Sequence, residues 1–342
     1  MIKKIFISVL LVASLLFMTT SCEEYLDVNY NVDAPAQIDG YLYLAGIQQA
    51  YQALYYDIRA AGPLTQMMGT SGLNYYARHE IAPPPSDNGA ELWRNIYWLQ
   101  GMNLENLINQ SVAAENWTLA GIGLAMKAFS WDQMTKYHGD LILKDAFVPG
   151  LLAHRYDYQD TVYTAVRNWA YKAIEYLEMP DATEYGTNIS ANDYIYGGDK
   201  AKWIKFAYGV IVRNLASLSN KSDFSTAYAQ ELIAAAGKSF AGVADNATLT
   251  VGGGGAAAAQ GAYNNFWGTF RVNLNRSYWQ HDYAVQVFTG TVPVYNESTG
   301  NKESVTGNTY YPYRLATKQI ICDTNVMATG HYDPRVAVKL AT

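Results

Sequence analysis

Two stretches of this sequence gather side chains suited to gripping a polar molecule without reacting with it. Between residues 263 and 283 stand Tyr263, Phe266, Trp267, Tyr278, Trp279 and Tyr283, interleaved with Asn264, Asn265, Asn275 and Arg276. A shorter run is Asn74-Tyr75-Tyr76-Ala77-Arg78. Aromatic rings offer flat apolar faces that stack on sugar rings, while amide and guanidinium groups bond hydroxyls. The candidate binding residues are therefore Trp267, Tyr278, Trp279, Asn275 and Arg276 in the first stretch, with Tyr75, Tyr76 and Arg78 in the second. The alternative role for these rings is to pin long loops onto the protein body.

Patterns for bond-making chemistry fail on inspection. The five histidines are scattered without zinc-ligand spacing, so no metal and no cofactor is expected. There is no Gly-x-Ser-x-Gly. Acidic pairs exist, but sequence distance cannot place two carboxylates across a sugar bond. Ala236-Gly237-Lys238-Ser239 ends like a phosphate-binding loop, yet Leu232 holds the earlier glycine position. Gly121-Ile122-Gly123 lacks its third glycine, since Met126 stands there. Asp27-x-Asn29-x-Asn31 opens like a calcium loop, but Val32 replaces the glycine and Ile38 the closing glutamate. No catalytic residue is assigned.

One modification is legible. Met1-Ile2-Lys3-Lys4 is a short basic start, residues 5–18 are apolar, and Thr19-Thr20-Ser21-Cys22 follows. That order is a secretory signal peptide over residues 1–21. The apolar run falls short of the roughly 20 residues a membrane span needs. A cysteine directly after small residues points to lipid on the Cys22 thiol. The mature protein then runs over 22–342 as one domain, tethered to a membrane by acyl chains.

Composition narrows the partners. A formal net charge of −6 with no lysine or arginine cluster argues against nucleic acid. Half the residues are hydrophobic, enough for a sizeable core. With Cys22 lipidated only Cys322 remains, so no intrachain disulfide forms.

The elements that must position the candidate residues are helices. Spacings of three and four predict helices over about 40–59, 88–110 and 119–137, the last with Ile122, Met126, Phe129 and Tyr137 on one side. Residues 23–38 and 60–88 read as loop. Asp157 is placed as the cap of a helix carrying Val162, Val166, Trp169, Ala173 and Tyr176, stopped by Pro180. Another helix starts at Asp199, and a shorter one spans about 224–236. From Gly242 onward glycine runs and mixed aromatics replace periodicity, which marks a loop-rich insert.

Several short elements occur in a telling order: Tyr25-Leu26-Asp27-Val28-Asn29, Leu92-Trp93 with Tyr97, Tyr137-His138-Gly139-Asp140, and Arg155-Tyr156-Asp157-Tyr158-Gln159. Then come Gly197-Gly198-Asp199 with Lys202-Trp203-Ile204-Lys205-Phe206-Ala207, Arg213, and Asp333-Pro334-Arg335. In these the chain resembles the SusD/RagB-like outer-membrane nutrient-binding lipoproteins of Bacteroidetes. It departs at Leu141-Ile142-Leu143, where the family often has a proline, and it stops at Thr342, soon after Asp-Pro-Arg. Family members usually continue further, so the resemblance implies a C-terminally shortened chain.

The resemblance implies an all-α fold of tetratricopeptide-like helical pairs with a loop-rich insert. It implies a surface protein without catalytic activity, lidding a SusC-like TonB-dependent transporter and binding oligosaccharide or, alternatively, peptide. A surface glycosidase or peptidase is the rival class. The family's own motifs read as structural: Asp157 and Asp199 as caps, Trp203 and Phe206 as core, Arg213 as the partner of a buried carboxylate.

Overall fold

A computed structural model of the chain describes residues 38–51, 57–70, 90–182 and 185–249, with the backbone of five short strands beyond them. The leader, Cys22 and the stretch 23–37 lie outside the described residues. The chain divides into two units, Met1–Asp39 and Gly40–Thr342, and every element named below belongs to the second.

In chain order these are α1 (Tyr43–Ala50), α2 (Ile58–Leu64) and strand β1 (Met68–Thr70). Next comes an unbroken helical run of three pieces: α3 (Glu91–Arg94), a π-helical segment (Asn95–Gly101) and α4 (Met102–Ala113). The long helices α5 (Trp117–His138) and α6 (Gln159–Glu178) follow. Then come α7 (Gly186–Asn192), α8 (Lys200–Ala216), α9 (Phe224–Ala227) and α10 (Ala229–Ala236). The strands beyond are β2 (Tyr278–Gln280), β3 (Val294–Asn296), β4 (Asn301–Glu303), β5 (Tyr313–Arg314) and β6 (Gln319–Ile320). They form only two-stranded antiparallel ladders: β1 with β2, β3 with β4, β5 with β6. The reading of residues 60–88 as loop is corrected, since α2 reaches Leu64 and β1 follows it.

Helix α5 is the centre of the fold. Of its 22 residues 15 are buried, and it packs against α4, α6 and α8. A helix covered on all sides is apolar all round, so the single stripe expected through Tyr137 is not what forms; Tyr137 is exposed. Gly121 and Gly123 permit the close approach. A Cβ on Gly121 would stand 2.5 Å from Leu177 Cγ of α6, and one on Gly123 2.5 Å from Leu107 Cδ2 of α4. The Asn116 side chain accepts the Leu119 N–H at 2.8 Å and fixes where α5 begins.

Asp199 caps α8 as expected, accepting the Lys202 N–H at 3.1 Å, and Trp203 and Phe206 are buried. Asp157 does not cap α6. The cap is Asp140, whose carboxylate accepts the Gln159 N–H at 2.8 Å. Asp157 instead accepts the N–H groups of Leu143 at 3.2 Å and Lys144 at 2.9 Å. Its backbone pairs with Leu141, so the loop between α5 and α6 folds back on itself. That return delivers Asp140 to the start of α6, a non-local event invisible to spacing rules.

The buried carboxylate expected near Arg213 is Asp132, fully enclosed, with the Arg213 Nε 4.0 Å away. The closer cation is Lys136, at 2.6 Å. Asp132 also accepts from the Asn214 amide at 3.1 Å, so its charge is compensated from two sides, as a buried charge requires.

Candidate functional site

The strongest structural statement about the candidate residues is a register. In the β1–β2 ladder Gly69 stands opposite Trp279 and Thr70 opposite Tyr278. Tyr75 follows Thr70 by only five residues in sequence. The backbone of 278–280, which carries Tyr278 and Trp279, is thus paired with a strand more than 200 residues earlier in the chain. Trp267, Asn275, Arg276, Tyr75, Tyr76 and Arg78 lie outside the described residues.

The helix end before β1 sets where that strand starts. The Thr65 hydroxyl donates to the carbonyls of Ala61 at 2.9 Å and Gly62 at 3.1 Å. The Met67 N–H donates to the Gly62 carbonyl at 2.9 Å, and Gln66 turns the chain with φ at 57°. A Cβ on Gly62 would lie 2.7 Å from Met68 Sδ, so glycine at residue 62 leaves room for the Met68 side chain of β1 against α2.

Asp57 fixes the other end of the intervening segment. It is buried, and its carboxylate accepts the Leu92 N–H at 2.9 Å and the Glu91 N–H at 3.4 Å. An acceptor from one helix start therefore caps the start of another. The starts of α2 and α3 are thereby held together at one corner.

That corner carries an aromatic cluster built on α3 and the π-helical segment. Trp93 meets Tyr97 at 4.7 Å between ring centroids, His138 edge-on at 5.4 Å, and Tyr156 nearly parallel at 6.0 Å. Tyr156 is 62% exposed, and Trp98, within the π-helical segment, is 75% exposed. Phe147 comes in from the α5–α6 loop at a positive φ of 61°. Its ring occupies the space a Cβ on Gly101 would need, 2.0 Å from that position. A bulky residue in that backbone region is strained, and the contacts of its ring with Tyr97 and Trp131 hold it there.

Electrostatics at this corner favour uncharged groups. Tyr137 is 40% exposed, and the partial burial of the rest pushes its hydroxyl up to about 12, with Asp57 adding to the shift. Burial lowers the His138 imidazole below its ordinary value against the opposing pull of Asp57, so the ring is neutral at pH 7. Burial also raises the Tyr97 hydroxyl, which donates to the Ile142 carbonyl. Neutral rings and hydroxyls can stack and hydrogen-bond. Among the described residues no group of histidine, cysteine and carboxylate side chains could hold a metal, and no helix is long and apolar enough to cross a membrane.

In sequence Trp93 and Tyr97 read as structural, and no spacing marks Trp98 or Tyr156 as exposed rings. The available signal was the density of aromatics around them.

The profile of the SusD-like family, described as starch-binding and associating with the outer membrane, matches residues 45–312. No curated protein matches the chain in sequence. Among solved structures, a SusD/RagB family protein from Bacteroides thetaiotaomicron superposes with a TM-score of 0.60 at 20% identity, covering 74% of this chain and 52% of that one. A Bacteroidetes SusD-like protein gives 0.60 at 19%, covering 79% and 54%. A chitin-binding protein gives 0.58 at 17%, covering 87% and 65%. The chain thus spans between half and two-thirds of the length of these structures. At such identities the likeness carries the fold, all-α and built on tetratricopeptide-like helix pairs.

Proposed function

The chain belongs to the SusD-like family, and from that membership we propose that it is a cell-surface lipoprotein that captures oligosaccharide. It delivers this cargo, unaltered, to a SusC-like TonB-dependent outer-membrane transporter, for which it serves as lid. The observation that carries the reading is the family match over residues 45–312. The β1–β2 ladder is compatible with it, because it pairs the strand carrying Tyr278 and Trp279 with Met68–Thr70, which precedes the Tyr75-Tyr76 run in sequence. In this reading residues 1–21 are the leader and 22–342 the binding domain, held on the outer membrane by lipid at Cys22. Each buried CH₂ of an acyl chain contributes about 0.8 kcal/mol, so several chains keep the protein at the surface while it swings. Tethering also raises its effective concentration over the barrel, so docking needs only modest intrinsic affinity.

The test is to incubate purified protein with a panel of oligosaccharides, measuring binding by calorimetry and products by chromatography. Binding without cleavage, weakened when Trp267 and Trp279 are both changed to alanine, is the expected outcome. Turnover would make the protein a glycosidase, and binding of peptides alone would reassign its cargo. Palmitate labelling that vanishes in Cys22→Ala tests the anchor.

A further inference from the structure

A cavity of about 830 Å³ opens between α6 and the turn that follows α8, among residues the proposed site does not use. That volume falls in the range of about 300–1,000 Å³ common to small-molecule sites. Three cations, Lys144, Arg167 and Lys221, line it against one carboxylate, Asp160. On a chain of net charge −6 this is a local reversal of sign. Tyr163, Tyr228 and a set of amide and hydroxyl side chains complete the wall.

Arg167 is the organised member of this set. It is half-buried, and its Nη1 donates to the Asn214 side-chain oxygen Oδ1 at 2.9 Å. Asn214 is itself fully buried, and its amide nitrogen is committed to Asp132. The amide can therefore present only its oxygen to the guanidinium, and Arg167 is held in place from behind. The Tyr228 ring lies 5.9 Å from it. Among the described residues no carboxylate comes within ion-pair distance of Arg167, whereas Lys144 is paired with Asp157 at 3.1 Å. A half-buried guanidinium without a counter-ion is unusual, and its fork matches a carboxylate in two parallel hydrogen bonds.

We infer that this cavity is a second binding site, one that takes an acidic sugar by its carboxylate, with Arg167 as the anchor. Amides and hydroxyls around it would bond the sugar hydroxyls, and the tyrosines would face the ring. The inference rests on the glycan-binding reading and adds to it a class of glycan.

The experiment titrates the full chain with a galacturonate trisaccharide, its neutral galactose counterpart and a triglutamate peptide. Wild type, Arg167→Gln and Lys221→Ala are compared. The acidic trisaccharide is expected to bind about tenfold more weakly to Arg167→Gln, and severalfold more weakly to Lys221→Ala, whose side chain is exposed and leaves the core untouched. Neutral glycan affinity should not change in either variant. Equal affinity of wild type and both variants for the acidic sugar overturns the inference, as does triglutamate binding as tightly as the trisaccharide. If only the acidic sugar fails to bind, this site alone falls; if the neutral glycans fail too, the glycan-binding reading falls with it.

Discussion

Replacing Asp193 by asparagine should unhinge the link between the N-terminal helix and α8. Its carboxylate is buried and accepts five N–H groups. Oδ1 takes Gln48 at 2.7 Å, Ile195 at 3.1 Å and Tyr196 at 3.3 Å. Oδ2 takes Gly198 at 2.7 Å and the Trp203 indole at 2.8 Å. The Gly197-Gly198 pair makes this wrap possible, with φ of 62° and 83°, a region that favours glycine. An asparagine amide would turn one oxygen into a donor and face at least two of these N–H groups with another. Hydrogen bonds to a charged group are worth about 1.5–3 kcal/mol each, so the gross loss is roughly 3–6 kcal/mol. Removing a buried charge offsets part of it, leaving a net cost of about 2–4 kcal/mol. Urea unfolding followed by far-ultraviolet circular dichroism reads this directly, and Tm should drop by roughly 3–6 °C. A change below about 1 kcal/mol would refute the view that Asp193 organises this junction.

Three further outcomes follow from the same geometry. Gly121→Val should cost about 1–3 kcal/mol or more by forcing α5 from α6, whereas Gly46→Ala, an exposed position inside α1 with open space around it, should stabilise by about 0.5–1 kcal/mol in the same urea assay. Asp57→Ala removes the cap of α3 and should cost about 1 kcal/mol, with faster amide exchange at Glu91 and Leu92 and weaker oligosaccharide binding. Acid should loosen the α5–α6 loop. Arg155 holds the Asp145 carboxyl down at about 2, below its ordinary 3.8. A depressed folded-state value stabilises above the unfolded one, so the pairing is complete above about pH 5 and fades as pH falls toward 2. Pepsin nicking between residues 144 and 156 should rise over that window and should already be high at pH 4 in Arg155→Gln.

The long helices were legible because α6 and α8 bury recurrent apolar positions such as Val162, Val166, Ile211 and Leu215. What escaped was non-local. Asp140 rather than Asp157 caps α6 because a loop returns on itself, and Asp57 caps a helix it does not belong to. The π-helical stretch Asn95–Gly101 has no signature in spacing; it ends at Gly101, whose side-chain space the distant Phe147 fills. Glycines 121 and 123, met first as a failed nucleotide motif, are there for packing. At the candidate site the residue types in 263–283 and 74–78 were readable, but the pairing of two three-residue strands was not. So short a ladder is specified by its surroundings and not by its own sequence.

The most direct test of glycan capture is calorimetric titration of the purified protein with oligosaccharides, followed by mass spectrometry of the recovered ligand, in wild type and Trp279→Ala. Intact glycan, bound about tenfold more weakly by the variant, is the expected result. Fragments in place of the starting glycan, or equal affinity in the two proteins, would contradict it.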